Sequence, residues 1–595
     1  MTNIKTDIKT NNCKLISRLD DVNKIFKIPI FYNKHTQKLD EHVVDNLELV
    51  VSIDKDETSI YNSVFNPSNK PSNEIIHQFA HYYTTDVDYL RDTQKLISSF
   101  ELEELNTLYD KHKFSDFELN DIVSSWEEIK SETGFCEKYL YIDWTFAKEI
   151  NNNSSFLQLM SIYNIASPIL SLCLPIFVLI IPFFIIKLRG IELNIAQYIE
   201  ILKSLISNHS IFKVITQFHT VDNNQKIYLM FSSLFYLFSI YQNILVCIRF
   251  YSNIQKIHNY LFKFKKYLEY TIDVMNFHSS KSTQLTKYND FNDAVDTNKK
   301  VLIQLFKELT KISPFTFSFL KINEIGHIMC IFYKLYASDI YNDALLYSFG
   351  FNGYFRLINH VKTNIIKRKI VKTKFSKKHK KPIFKNMYYP KFINNDELTI
   401  VKNDCNLNKN IIITGPNASG KTTTLKTALI NIILSQQIGY GCFDSLTLCP
   451  YDNIHCYLNI PDTSGRDSLF QAEARRCKAI IDCINKEPSE THFCIFDELY
   501  SGTNPEEAVV SAFAFMDYIV MHDNVTCLLT THYVNLCKKL AKNKLIHNYN
   551  MNTIKTKDHF EYTYLIKKGI STIKGGLKVL KDMNYPKEIL DKTQM

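Results

Sequence analysis

Glycine and proline are scarce in this chain, 14 and 15 among 595 residues. That scarcity excludes collagenous and Pro/Gly-rich low-complexity architectures and confines disorder to short tracts. None of the 14 cysteines belongs to a C-x-x-C pair, so neither a zinc ribbon nor a disulfide framework is indicated, and the thiols read as free in a reducing compartment. The opening MTNIKTDIKTNNCK has no apolar core of the kind a secretory signal needs, and the chain is expected to start in the cytosol. Acid is missing over one stretch. Lys362 to Lys385 carries 11 Lys and Arg and no Asp or Glu, so the net charge of +9 is concentrated there and the rest of the chain is slightly acidic. Such a tract can neutralise phosphates of nucleic acid or anionic lipid, or serve as a solvated linker.

Charge of either sign is absent from Ile150 to Ile186, 37 positions. The most apolar part, IASPILSLCLPIFVLIIPFFII (residues 165–186), extends roughly 33 Å as a helix, enough to cross a bilayer core. A second uncharged stretch of 22 residues, 227–248, is bracketed by Lys226 and Arg249. Together they predict a transmembrane helical hairpin; the alternative is a pair of long buried helices. Pro168, Pro175 and Pro182 recur every seven residues in the first stretch, a pattern that kinks a helix and is better tolerated in lipid. Ser232, Ser233, Gln242 and Asn243 weaken the second. Two passes leave both termini in the cytosol, in keeping with Arg249, Lys256, Lys263, Lys265 and Lys266 just after the second stretch; without insertion the chain is cytosolic or nuclear.

The expected organisation is a mainly helical core region over 1–149, the transmembrane hairpin over 150–250, a helical arm over 251–360, a basic linker over 361–386 and an α/β domain over 387–595. The arm is read from Leu, Ile and Phe at three- and four-residue spacing in TNKKVLIQLFKELTKI. The last domain shows alternating apolar runs, turns and helices.

NIIITGPNASGKTTTLKTALINII contains G-x-x-x-x-G-K-T from Gly415 to Thr422, after a strand-like Ile411–Ile413 and before an apolar-periodic helix, the context a P-loop needs. Gly415 and Gly420 let backbone N–H groups close around phosphate, Lys421 reaches the β and γ phosphates of ATP, and Thr422 holds Mg2+. About 75 residues on, THFCIFDELYSGTNPEEA ends a second strand in Asp497, a partner for Mg2+, and Glu498, which orients or deprotonates water. CLLTTHY ends a third strand at His532, a γ-phosphate sensor. Three such strand ends converge on the face of a parallel sheet where α/β ligands bind. In IPDTSGRDSLFQAEARR a Gly-Arg-Asp-Ser turn opens a helix, so Ser468 sits at a helix N-terminus, as an anion contact or as an ordinary cap.

These elements in this order resemble the MutS family of ABC-type ATPases. ITGPNASGKTT is similar to the family's P-loop, FDELYSGTNPEEA to its Asp-Glu segment, LLTTHY to its switch histidine, and YPKEIL to its closing helix. The resemblance covers about 388–593. It implies that Gly415, Pro416, Asn417, Ala418, Ser419, Gly420, Lys421, Thr422 and Thr423 bind nucleotide, that Phe392 and Ile393 flank adenine, and that Ser468 completes a partner subunit's site in trans. It also implies a homodimer or a dimer with a related subunit, and DNA as partner. Two departures stand out. The matches considered for the family's Phe-x-Glu mismatch wedge, Phe135 and Phe306, do not lie in the first hundred residues, and Asp467 separates Arg466 from Ser468 where the family runs Arg-Ser. The resemblance thus predicts a divergent, membrane-associated member without the N-terminal mismatch-recognition domain.

Two functions follow as expectations. One is a MutS-like ATPase coupling hydrolysis at Lys421, Glu498 and His532 to gripping DNA, in mismatch repair or DNA-structure binding. The other is a membrane-embedded mechanochemical ATPase acting on branched DNA, lipid or protein. An ABC transporter is disfavoured because two passes make too little wall, and a P-loop kinase because the acid pair and distal histidine suit hydrolysis.

Overall fold

The computed structural model describes residues 18–188, 190, 195–208, 213, 222–314, 319–377, 381–395, 399–458, 460, 468–555, 560–571 and 573, with 583, 585, 586, 588 and 589 beyond. Gly465, Arg466 and Asp467 of the turn before Ser468, and Lys378 and Lys380 of the basic tract, lie outside the described residues. The described chain gathers into two compact units, one of residues 124–269 and 301–344, the other of residues 18–123, 270–300 and 345–595.

The first unit is helical. Ser154–Leu188 and Asn223–Ser282 are each continuous helices, and two helices, Ser154–Cys173 and Lys226–Ser282 in their described parts, are long and apolar enough to cross a membrane. Of the four polar residues that weaken the second stretch as sequence, Asn243 finds a partner across the hairpin, and Tyr236 and Cys247 add further contacts. Tyr236 Oη donates to the Ser171 carbonyl at 3.0 Å, Asn243 Nδ2 donates to Ser171 Oγ, and Cys247 Sγ approaches the Ile165 carbonyl at 3.7 Å. Outward faces remain apolar: Leu159, Ile169, Leu234 and Phe235 are 62–70% exposed. Below the hairpin, Phe135 stacks on Tyr336 with centroids 3.7 Å apart and on Tyr141, and Tyr141 Oη donates to the Met329 carbonyl at 2.7 Å. This aromatic cluster fixes the helix Ile325–Ala337.

The second unit is built on a six-stranded sheet. Its strands are β1 (Asn410–Thr414), β2 (Asn453–Tyr457), β3 (His492–Asp497), β4 (Val525–Thr531), β5 (Ile546–Lys555) and β6 (Phe560–Lys568), ordered β2–β3–β4–β1–β5–β6. All neighbours are parallel except the β5–β6 hairpin. NIIIT and VTCLLTT are buried throughout. Such continuous burial is what strands covered on both faces require, and it explains runs of apolar residues where an exposed sheet would alternate.

Four short strands, Lys374–Phe375, Ser445–Leu448, Ile383–Met387 and Asn403–Asn406, form a second sheet in that order. Much of the basic tract is therefore built into secondary structure. Lys381 is drawn inward, its Nζ donating to the Val525 carbonyl at 3.0 Å, with burial pushing its pKa down. Lys377 instead pairs with Asp88 at 3.4 Å.

Residues 18–100 pack on this unit through buried polar groups. Gln437 accepts from Tyr61 Oη at 2.8 Å and donates to the Tyr82 carbonyl at 2.9 Å. Gln436 exchanges two bonds with the Tyr451 backbone, both 2.9 Å. Gln94 Nε2 donates to the Thr373 and Gly439 carbonyls at 2.9 and 2.6 Å. The helix Asp339–Ile366 approaches Phe26 so closely at Gly350 that a Cβ there would lie 2.5 Å from the Phe26 Cβ. Gly350→Ala is accordingly expected to destabilise the protein by about 1–3 kcal/mol, read as a lowered urea midpoint; an unchanged midpoint would mean that this packing is loose.

Candidate functional site

The turn between β1 and the helix Lys421–Ile438 forms the centre of the site. Gly420 caps that helix with φ 91°, a left-handed conformation that favours glycine, and a Cβ there would meet Tyr564 Cδ1 at 3.1 Å. Ala418 also has positive φ, 61°. Ser419 is buried, its Oγ donating to the Pro416 carbonyl at 2.7 Å, while Asn417, Ala418 and Thr423 are exposed. Lys421 is 6% exposed and folds back on its own loop, donating to the Gly415 and Pro416 carbonyls at 3.0 and 3.3 Å. Burial pulls its pKa down, against the attraction of Glu498 and Asp497.

β3 and β4 deliver the acids and the histidine. Asp497 pairs in register with Thr530, and Thr531 with Thr414 of β1, so the three strands end together. Asp497 accepts from Thr422 Oγ1 at 2.7 Å and from Thr530 Oγ1. A carboxylate and a hydroxyl in contact beside the turn are hard oxygen donors of the kind Mg2+ takes. Glu498 continues the strand pairing by one bond, its N–H donating to the Thr530 carbonyl at 3.0 Å, and then turns at φ 51°, a left-handed conformation that costs a non-glycine residue energy and clusters at functional sites. Its Oε1 lies 3.5 Å from His532 Nδ1 and 3.9 Å from Lys421 Nζ. The hydrogen bond from His532 is the chief cause that holds the Glu498 carboxyl below the usual carboxylate range, opposed by burial.

Two cavities meet at Glu498. One, of about 790 Å³, is lined by Phe392, Gly420, Lys421, Thr422, Asp497 and Tyr564 among others; the other, of about 900 Å³, by Gly415, Asn417, Glu498, His532 and Tyr533 among others. Phe392 is 38% exposed to the first, whereas Ile393 is 2% exposed and absent from that lining. Ser468 caps the helix Leu469–Lys486 in a capping box with Gln471 and lines neither cavity.

Residues 411–595 match the family model described as MutS domain V. The chain is 28% identical over 200 residues to the DNA mismatch repair protein MutS of Staphylococcus epidermidis, covering 33% of this chain and 22% of that one. It is 32% identical over 158 residues to Endonuclease MutS2 of Staphylococcus carnosus, covering 26% and 20%. The likeness to MutS thus lies in the C-terminal third of the chain. The chain spans only about a fifth of the length of the relatives it matches.

Two residues of this C-terminal third carry parts that the sequence does not announce. Tyr564, on the β5–β6 hairpin, reaches the Phe392 cavity from more than 170 positions away; an alternating hairpin strand gives no hint of that. Glu473 is 2% exposed and accepts from Ser501 N, Ser501 Oγ and Gly502 N at 3.1, 3.1 and 3.2 Å. It thereby fastens the loop after Asp497-Glu498 to the helix that Ser468 caps. Upstream, Phe135 of the Phe-x-Glu match is 2% exposed within its aromatic cluster and has no free edge to offer as a wedge. Phe306 sits half-buried in the helix Asn289–Thr310.

Glu473→Ala leaves two backbone donors without their acceptor, and a stability loss of roughly 1–3 kcal/mol in urea unfolding is expected. Glu473→Gln should recover only part of this, because its oxygen can serve Ser501 while its amide nitrogen faces the Gly502 N–H; full recovery would show that shape rather than charge holds the loop.

Proposed function

We propose that this chain binds and hydrolyses ATP with Mg2+ through domain V, as a dimer, and couples turnover to DNA binding of a mismatch-repair-like kind. The observation that carries the reading is the meeting of Lys421, Thr422, Asp497 and Glu498 around one turn at the carboxyl ends of three parallel strands. In it, residues 415–423 offer backbone N–H groups to phosphates, and Lys421 exchanges its loop carbonyls for phosphate oxygens. Thr422 and Asp497 would hold Mg2+, which when bound neutralises charge on the phosphates. Glu498, kept ionised by His532, orients the attacking water, and His532 contacts the γ-phosphate. Phe392, with Tyr564, supports the base. Ser468 acts on the site of a second subunit. The DNA part rests on the names of the relatives, which share only this domain, and on the basic tract.

A second reading is favoured by the exposed apolar faces of the hairpin: a two-pass membrane protein with both termini cytosolic, whose ATPase acts on branched DNA, lipid or protein. Trp144 and Phe146, stacked on each other and 67% and 85% exposed eight residues or more before the first long helix, suit the headgroup level of a bilayer.

Lys421→Ala and Glu498→Gln are each expected to abolish turnover, with Glu498→Gln still binding ATP in a fluorescent-nucleotide assay; turnover surviving in both variants overturns the ATPase reading. Because His532 is what lowers the Glu498 pKa, His532→Ala lets that pKa rise, so the acid limb of any residual turnover should shift to higher pH than in the parent. The two partner readings separate in one comparison, turnover stimulated by homoduplex, mismatched or branched DNA against liposomes. Stimulation by DNA is expected on the first reading, and stimulation by liposomes alone would replace it with the second.

A further inference from the structure

β2 is the edge strand of the six-stranded sheet, and its His455 faces the same side as His492, the first residue of β3. The register pairs Asn453 with His492, so His455 lies two positions further along and on the same face. The two rings lie nearly parallel, 14° apart with centroids at 5.4 Å, and His455 Nε2 is 3.1 Å from His492 Nδ1. Cys483 reaches this spot from the last turns of the helix Leu469–Lys486, and one ligand atom from each of the three residues lies within 4.8 Å of the others. His492 is 0% exposed, and besides its contact with His455 its ring has a backbone hydrogen bond with Glu487. The ordinary alternative, a hydrogen-bonded imidazole pair, accounts for the 3.1 Å contact but not for the thiol brought beside both rings.

We propose that His455, His492 and Cys483 bind one borderline divalent transition metal of the Zn2+ or Co2+ class. Two imidazoles and a thiolate are the donor set that such ions prefer over the hard-oxygen set of Mg2+, and nitrogens about 2.0–2.1 Å from a tetrahedral ion are about 3.3 Å apart, close to the spacing here. The fourth position is left to water. On binding, the Cys483 thiol releases its proton to solvent and no redox change occurs. Glu490 and Asp452 add a negative field at His492. Arg476 opposes it near His455, but its guanidinium is engaged by Asp40 at 3.2 Å.

The site is distinct from the nucleotide centre. His492 opens β3 and Asp497 closes it, a separation of roughly 17 Å along the strand. Its consequence is mechanical: Cys483 is in the final turns of the helix whose first turn Ser468 caps, so an ion there ties the far end of that helix to the sheet edge.

The test uses the full chain, stripped with chelator and titrated with Co2+ in excess Mg2+. Roughly one equivalent should bind with a near-ultraviolet thiolate-to-Co2+ absorption band and tetrahedral visible bands. Cys483→Ser should abolish the near-ultraviolet band, and His455→Asn should weaken binding roughly tenfold or more. A measurement on the unmutated chain guards against misfolded variants: Co2+ or Zn2+ should slow alkylation of Cys483, followed peptide by peptide, and leave the other partly exposed thiols, such as Cys136 and Cys449, unaffected. Absence of the thiolate band together with unslowed alkylation would overturn the proposal and leave an imidazole pair only.

Discussion

The register of β1, β3 and β4 is the constraint on which the site depends. Parallel pairing of Asp497 with Thr530 and of Thr531 with Thr414 brings three carboxyl ends to one edge. There the Asp497 carboxylate takes hydroxyl bonds from two threonines on different elements. A slip of one residue would turn every side chain of β3 to the opposite face, burying Asp497 among the apolar residues that now include Cys494 and Phe496. Those apolar contacts are the reason that no slip occurs: the acid is held in place by the burial of its neighbours rather than by its own interactions. The left-handed turn at Glu498 is the cost of ending an inward-facing strand in two consecutive acids that must both face one loop.

Behind the loop, the helix Lys421–Ile438 carries that constraint away from the site. Its first residue is Lys421 of the Gly415–Thr422 turn, and its last turns hold Gln436 and Gln437, whose amides are satisfied by the Tyr61 hydroxyl and by backbone of residues 79–84 and 451. Buried amide bonds are directional and costly to leave unmade, so a shift of the helix on filling of the loop must either move those segments with it or break several bonds at once. The chain therefore has a stiff connection between residues 415–423 and residues 60–100, which lie more than 300 positions earlier. Glu473 provides a comparable link from the acid loop to the Leu469–Lys486 helix.

How much of this was legible follows from how local each feature is. The loop from Gly415 to Thr422, the two acids and the Ser468-x-x-Gln471 cap are contiguous patterns whose geometry is set by neighbours in sequence, and each occurs where those patterns put it. Gln94, Gln436 and Gln437 read as ordinary polar residues, because their partners come from strands and helices elsewhere in the chain. His455, His492 and Cys483 are invisible to spacing rules for the same reason: two strands and a helix, not one motif, bring them together. Ile393 read as the neighbour of Phe392 on one ligand, but a 3-10 turn over Pro390–Phe392 puts adjacent side chains about 120° apart, so one lines the cavity and the next enters the core.

The paired long helices show a case in which polar residues have a packing role that hydropathy alone does not register. Ser171, Tyr236 and Asn243 lower the hydropathy of their helices, yet they bond to one another. In lipid, where tails compete equally for apolar surface, small-residue contacts and interhelical hydrogen bonds of this sort are what hold two helices together. In water the balance reverses. Leu159, Ile169, Leu234, Phe235 and their neighbours stand mostly exposed, and each large apolar side chain kept from burial forgoes roughly 1.5–3 kcal/mol. The same residues would be favourable as they stand if hydrocarbon replaced water around them, which is the environment that the second proposed reading supplies.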